Sequence, residues 1–341
     1  MSSRRGLVLG AGGVLGAAWT IGALQAITEV EGFDPAASDV IVGTSAGSVL
    51  ASLLGSGLTV ADLLQHQRGI PLPNALGSDW RYDSSTGGAL PPRPRLAVGS
   101  PALLRRSVAH PRQLPPLAVL AALTPTGTGT LAEVGRMVES VAAPDGWSRH
   151  RGVWVVAMDY DSGRRVAFGR DGSPGARLDQ AVMASCAIPG WYAPVSIGGR
   201  RYVDGGTLST TSVDLLAKEP LDEVFVLAPM AAFVTDAPRQ VAARLERRLR
   251  RGITRRLVAE SQAVSRGGTS VTVLAPGPED LAEIGANMMD PSRRLAVLEA
   301  SLRTSARALR HPRPEDLDAA VTRSQRSRLA GRRGPTSGVA L

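Results

Sequence analysis

Three short stretches carry residue types that could do chemistry together. The first is Gly43-Thr44-Ser45-Ala46-Gly47, which follows the apolar run 40–42 and precedes a helical apolar pattern at Val49, Leu50, Leu53 and Leu54. A serine on such a strand–helix turn is held in a strained conformation with its hydroxyl exposed, and the flanking glycines avoid collisions with the neighbouring strand and helix. The following helix directs the partial positive charge of its N-terminus at the serine oxygen. Taken alone, the pentapeptide fits a plain turn equally well. The second stretch, Gly10-Ala11-Gly12-Gly13-Val14-Leu15-Gly16, also lies between a strand pattern and a helix pattern. Glycine N–H groups can approach an anion closely, whether phosphate or the oxyanion of acyl transfer. A dinucleotide fingerprint would need glycine where Leu15 stands, and the next strand runs into Gly43-Thr44-Ser45 rather than an acid for ribose hydroxyls. No cofactor is therefore expected. The third stretch is Asp204-Gly205-Gly206, directly after Arg201-Tyr202-Val203. A carboxylate at a strand end can reach into a cleft, although the same tripeptide also serves as an ordinary turn.

The elements that must position these residues alternate. Short Val-rich runs at 7–9, 40–42, 153–157, 224–227 and 271–274 suit strands buried on both faces of a parallel sheet. Helical lengths lie between them at 59–68, 131–141, 178–185 and 240–265. Residues 164–168 read as a hairpin strand after the turn Asp161-Ser162-Gly163, and 195–197 with 201–203 as a second hairpin around Gly198-Gly199. The alternation predicts an α/β layered fold. At 341 residues the chain is expected to form one domain over 1–310, followed by an arginine-rich tail over 311–341 that is expected to be disordered in part. A Pro/Gly-rich insertion over 69–129 has the length of a lid or binding element.

Composition narrows the function classes. Aromatic residues make up only 4% of the chain, which argues against nucleic-acid modules that stack bases on aromatic platforms. The formal charge is +9, with Lys218 the single lysine, so the basic character is written in arginine. That surface suits anionic lipid as well as a plain solvated exterior. One cysteine, Cys186, excludes an internal disulfide and reads as a small buried residue. His66, His110, His150 and His311 are too scattered for a metal site, and Asp159 and Asp161 fit a hairpin turn better than metal ligation. The start of the chain imitates an export signal, Arg4-Arg5 followed by an uncharged stretch, but six glycines within residues 6–22 favour a strand, a turn and a buried helix. In the stretch 244–257, Leu245, Leu249, Ile253 and Leu257 recur every four residues among seven arginines, a pattern for a helix lying on anionic lipid or for an ordinary amphipathic helix.

Taken as a set, a Gly-rich turn, then G-x-S-x-G, then a distant D-G-G, the chain resembles the patatin-like phospholipases over residues 6–227. Supporting segments are Ala184-Ser185-Cys186-Ala187-Ile188-Pro189-Gly190 and Tyr202-Val203-Asp204-Gly205-Gly206. The resemblance implies a three-layer α/β/α fold with a mostly parallel central sheet. It also implies a serine–aspartate dyad: Ser45 attacks an ester carbonyl and Asp204 accepts its proton. The backbone of Gly10, Ala11, Gly12 and Gly13 would hold the oxyanion, and Gly43, Gly47, Gly205 and Gly206 would shape the turns. The implied substrate is a lipid or other acyl ester, with no metal or cofactor. Family members usually carry Lys or Arg just before the last glycine of the first motif, where this chain has Leu15. That departure weakens the case for phospholipids relative to esters in general. Few aromatic anchors are available for a membrane face, namely Trp80, Trp147 and Trp191. Two other readings stand beside this one. One is an α/β-hydrolase triad in the order Ser45, Asp204, His311; the other is a catalytically silent protein that binds lipid surfaces. The chain is expected in the cytoplasm, with peripheral contact to an anionic membrane and no nucleic-acid partner. Its oligomeric state is not legible.

Overall fold

The computed structural model describes residues 3–70, 93, 98–110, 114–234, 238 and 241–311. The chain begins with β1 (Arg5–Leu9), α1 (Gly13–Glu31), β2 (Val40–Thr44), α2 (Ala46–Gly55) and α3 (Val60–Gln67). Next come α4 (Pro101–Ala109), α5 (Pro116–Leu123), α6 (Ala132–Glu139), β3 (Val153–Asp159) and β4 (Arg165–Phe168). They are followed by α7 (Leu178–Cys186), β5 (Val195–Ile197), β6 (Arg200–Asp204) and β7 (Glu223–Leu227). The last described elements are α8 (Val241–Ser265), β8 (Ser270–Leu274), α9 (Pro278–Ile284) and α10 (Arg294–Arg310).

The strands form one sheet in the order β5-β6-β3-β2-β1-β7-β8, with β4 paired to β3 off that path. The run from β3 to β8 is parallel, whereas β6, β5 and β4 join antiparallel. Strand β1 is therefore central although it comes first in the chain. Alternation explains the layers. Leu7 and Leu9 of β1, Ile41 of β2 and Val155 of β3 face a core shared with α1, α2, α6, α7 and α10. Val8, Val42 and Val156 face the opposite core, shared with Ile253 and Leu257 of α8 and with the turn Val213–Leu216. This is the three-layer α/β/α arrangement expected from the sequence.

Helix α1 is long and apolar enough to cross a membrane, but Leu15, Trp19, Ile21, Leu24 and Ile27 are buried within the protein. It packs against α10, where Ser301 Oγ donates to Trp19 O at 2.6 Å. The insertion over 69–129 falls partly outside the described residues, as do Trp80 and residues 312–341 of the tail. The part that is described contributes α4 and α5. Their Leu103, Ala118, Ala121 and Ala122 pack on Met158, Tyr160 and Val203 at the ends of β3 and β6. The turn after β3 forms as expected for a hairpin, with Asp159 Oδ1 accepting from the N–H groups of Asp161 and Ser162.

Candidate active site

Ser45 sits between β2 and α2 with φ +53° and ψ −125°, a left-handed backbone that a non-glycine residue adopts at a cost of about 1–3 kcal/mol. Its surroundings over-determine the conformation. The Ser45 N–H donates to Ser185 Oγ at 2.8 Å, and Ser185 Oγ in turn donates to Val156 O at 2.6 Å. Ser48 Oγ donates to Ser45 O at 2.6 Å. The glycines of the pentapeptide answer to steric need. A methyl group on Gly47 would stand 2.0 Å from Leu9 O, and one on Gly43 would stand 2.5 Å from Ser48 Cα.

Asp204 ends β6, opposite Ala157 of β3, and so lies two strands from Ser45. Its Oδ1 accepts the Gly206 N–H at 2.7 Å, and its own N–H donates to Ala187 O at 3.0 Å. Gly205 packs so closely on Val156 O that a methyl there would stand 2.5 Å away, and a methyl on Gly206 would meet the Ala11 side chain at 3.3 Å. The D-G-G turn is thereby pressed against the first motif. Burial pushes the Asp204 carboxyl up to about 6, while hydrogen bonds from the Ser45 hydroxyl and the Gly206 N–H oppose part of that rise. A carboxylate with this affinity for a proton, beside a serine hydroxyl, can act as its general base.

The Gly-rich turn differs in one respect from the expectation. The N–H of Gly10 donates to Leu227 O at 2.9 Å and that of Ala11 to Thr210 O at 2.8 Å. Both residues therefore serve to anchor the turn, and neither is an oxyanion donor. The N–H groups of Gly12 and Gly13 have no acceptor among the described residues. Gly13 has φ +58° at the start of α1 and faces the same cavity as Ser45. Such amides at a helix N-terminus suit a developing oxyanion.

That cavity has a volume of about 470 Å³. Ser45 lines it together with chiefly apolar side chains, among them Val14, Ile21, Leu53, Leu63, Val134 and Met137. The lining runs from Gly13 to Ile21 on α1 and from Ala46 to Leu53 on α2, about 10 Å of helix in each case. Cys186 lines it too. Burial first, and then the charge of Asp204, raises its thiol well beyond the ordinary range, so it stays neutral and is no competing nucleophile.

A family model described as Patatin-like phospholipase matches residues 7–217. The chain belongs to the patatin-like phospholipase family. That family is one of lipid acyl hydrolases. No curated protein matches the chain. Among solved structures it is similar to VipD from Legionella pneumophila, at 15% identity and a TM-score of 0.45, covering 90% of this chain and 67% of that one. It is also similar to the type III effector protein ExoU, at 17% identity and a TM-score of 0.37, covering 96% of this chain and 61% of that one.

In this patatin-like phospholipase the Gly-rich turn is supported from behind by α8. Leu15 is wholly buried in the core. A positive charge enters from another element. Arg250 of α8, also wholly buried, donates to Pro229 O at 2.6 Å and to Met288 Sδ at 3.3 Å, and it pairs with Glu246. Pro229 packs on the turn, where a methyl on Gly12 would stand 2.8 Å from its ring, and Met288 O accepts the Leu15 N–H. Arg247 pairs with the same Glu246. The sequence showed Ser185 only as part of the supporting segment 184–190 and Arg250 only as one of the arginines of 244–257, and neither role has a local signal. His311 is exposed at the end of α10 and does not line the cavity. The histidine that does line it is His66 of α3.

Proposed function

We propose that this protein hydrolyses acyl esters of lipids through a Ser45–Asp204 dyad, with the acyl chain lying in the apolar cavity along α1 and α2. The observation that carries this reading is a strained, cavity-lining Ser45 beside a desolvated carboxyl, Asp204, whose D-G-G turn is pressed against the Gly-rich turn. Asp204 takes the Ser45 proton as Oγ bonds to the ester carbonyl carbon. Negative charge then develops on the carbonyl oxygen, facing the free N–H groups of Gly12 and Gly13. Collapse of the tetrahedral species breaks the bond to the alcohol, which leaves with the proton held by Asp204. Water, deprotonated by the same carboxylate, releases the fatty acid and restores Ser45. Each step uses groups that the chain itself supplies.

Labelling with a fluorophosphonate, followed by peptide mass spectrometry, tests the reading before any substrate is known. Label on Ser45, absent from Ser45→Ala and strongly slowed in Asp204→Asn, is the expected result. Folded protein that takes no label, or takes it elsewhere, would overturn the assignment.

A further inference from the structure

Leu245, Leu249, Ile253 and Leu257 do not form one stripe. A spacing of four residues advances the side chain by about 40° per step around a helix, so such a row winds from one face to another. On α8 it winds from solvent into the core. Leu245 is 68% and Leu249 40% exposed, whereas Ile253 and Leu257 are only 8% and 1% exposed. Val241, one turn before Leu245, is 79% exposed. The N-terminal half of α8 thus shows solvent three large apolar side chains within an arc of about 80°.

The border of that arc is charged. Arg244, Arg248, Arg251 and Arg255 are all exposed and fall within about 60° of one another along one edge. No carboxylate among the described residues pairs with any of these four. The acids of this helix are turned inward. Glu246 is held by Arg247 and Arg250, and Glu260 accepts from Ser209, Thr211 and the Val213 N–H. A solvated helix gains nothing from three exposed apolar side chains. A surface that is apolar within and anionic at its boundary matches both halves of the exposed arc.

We propose that the N-terminal half of α8 docks the protein on an anionic lipid surface, with Val241, Leu245 and Leu249 entering the acyl boundary and Arg244, Arg248, Arg251 and Arg255 meeting phosphates. This goes beyond the acyl-hydrolase reading, since docking needs no catalysis. It also bears on that reading through the fold. The inward face of the same half-helix carries Arg250, which holds Pro229 and Met288 against the Gly-rich turn. One layer of side chains separates the docking face from the segment ending in Met289, which lines the cavity.

The test uses the full chain carrying Ser45→Ala, sedimented with vesicles of phosphatidylcholine alone or of equal parts phosphatidylcholine and phosphatidylglycerol. Binding is expected to the mixed vesicles only, and to weaken with salt. Combining Arg248→Gln, Arg251→Gln and Arg255→Gln should weaken it about fivefold per arginine, or about a hundredfold together. Leu245→Ser with Leu249→Ser should cost about tenfold per side chain. Unchanged circular dichroism checks that these exposed substitutions leave the fold intact. Binding indifferent to both sets, or equal on the two vesicle types, overturns the proposal. So does loss with the arginine set alone accompanied by equal competition from duplex DNA, which would mark a general polyanion contact. With Ser45 restored, turnover of a water-soluble ester should be unchanged by either set. Absence of any turnover in the wild type would instead break the hydrolase reading while leaving the binding result standing.

Discussion

Ser45 and Asp204 are equally hidden, each 5% exposed, yet they reach the reacting position by opposite means. The serine is neutral and is placed by backbone strain, locked between Ser185, Ser48 and the close approach of Gly47 to Leu9. The aspartate has an ordinary extended approach along β6 and is placed by strand pairing; what it carries is a charge removed from water. One half of the proposed dyad stores conformational energy and the other electrostatic energy. The difference teaches that substitutions at the two positions should be alike in activity and unlike in stability.

The largest expected effect is on turnover. Ser45→Ala should abolish hydrolysis of a soluble ester, and Asp204→Asn should lower it by about 10⁴-fold. Retention of more than a small fraction by either would break the pairing. Next in size is Gly47→Ala, which should cost about 3 kcal/mol or more in urea unfolding, because a methyl 2.0 Å from Leu9 O forces β1 and α2 apart. The acid should behave in the other direction. Burial favours protonated Asp204 in the folded protein, so folding is penalised by its charge, from nothing below the ordinary value of 3.8 to a full penalty above about 6. The penalty corresponds to about 3 kcal/mol at neutral pH. Asp204→Asn should therefore be more stable than wild type at pH 8 by up to that amount, with the advantage vanishing near pH 3.5. The same carboxyl should make kcat/KM rise tenfold per pH unit below about 6 and level off above it. Ser45→Gly, by relieving φ +53°, should add about 1 kcal/mol near pH 3.5, where Asp204 is protonated, and less at pH 8, where loss of the hydroxyl deepens the penalty of the Asp204 charge. A gain at Ser45 that grows with pH, or a pH-independent one at Asp204, would undo the contrast. The smallest effect is expected from His311→Ala, which should leave turnover within twofold of wild type, whereas a triad enzyme would lose most of it.

Much of this was legible because it rests on short-range rules. Val-rich runs became the strands, Gly43 and Gly47 mark a turn with no room for a side chain, and Asp204 stands at a strand end. What escaped depends on distant partners. The N–H groups of Gly10 and Ala11 look available in a Gly-rich turn, and only Leu227 and Thr210, some 200 residues later, reveal that they are engaged. Helix α10 covers α1 with Val297, Leu298, Ser301 and Ser305, and a face built partly of serine gives little apolar periodicity to read. Leu245, Leu249, Ile253 and Leu257 of α8 were legible as a row but not as a row that turns inward halfway. Arg250 shows the same limit, since nothing local distinguishes it from the exposed arginines on either side.

The central position of β1 has a consequence in time. Its neighbour β7 supplies Leu227 O, the acceptor that anchors Gly10, and α8 later supplies the arginine clamp behind it. During translation Ser45 leaves the ribosome about 180 residues before Leu227, an interval of about 10–40 s at ordinary elongation rates. Through that interval the nascent chain holds the proposed nucleophile without the acceptor that anchors the proposed oxyanion turn. On that reading the site is completed only after nearly the whole folded domain has been synthesised.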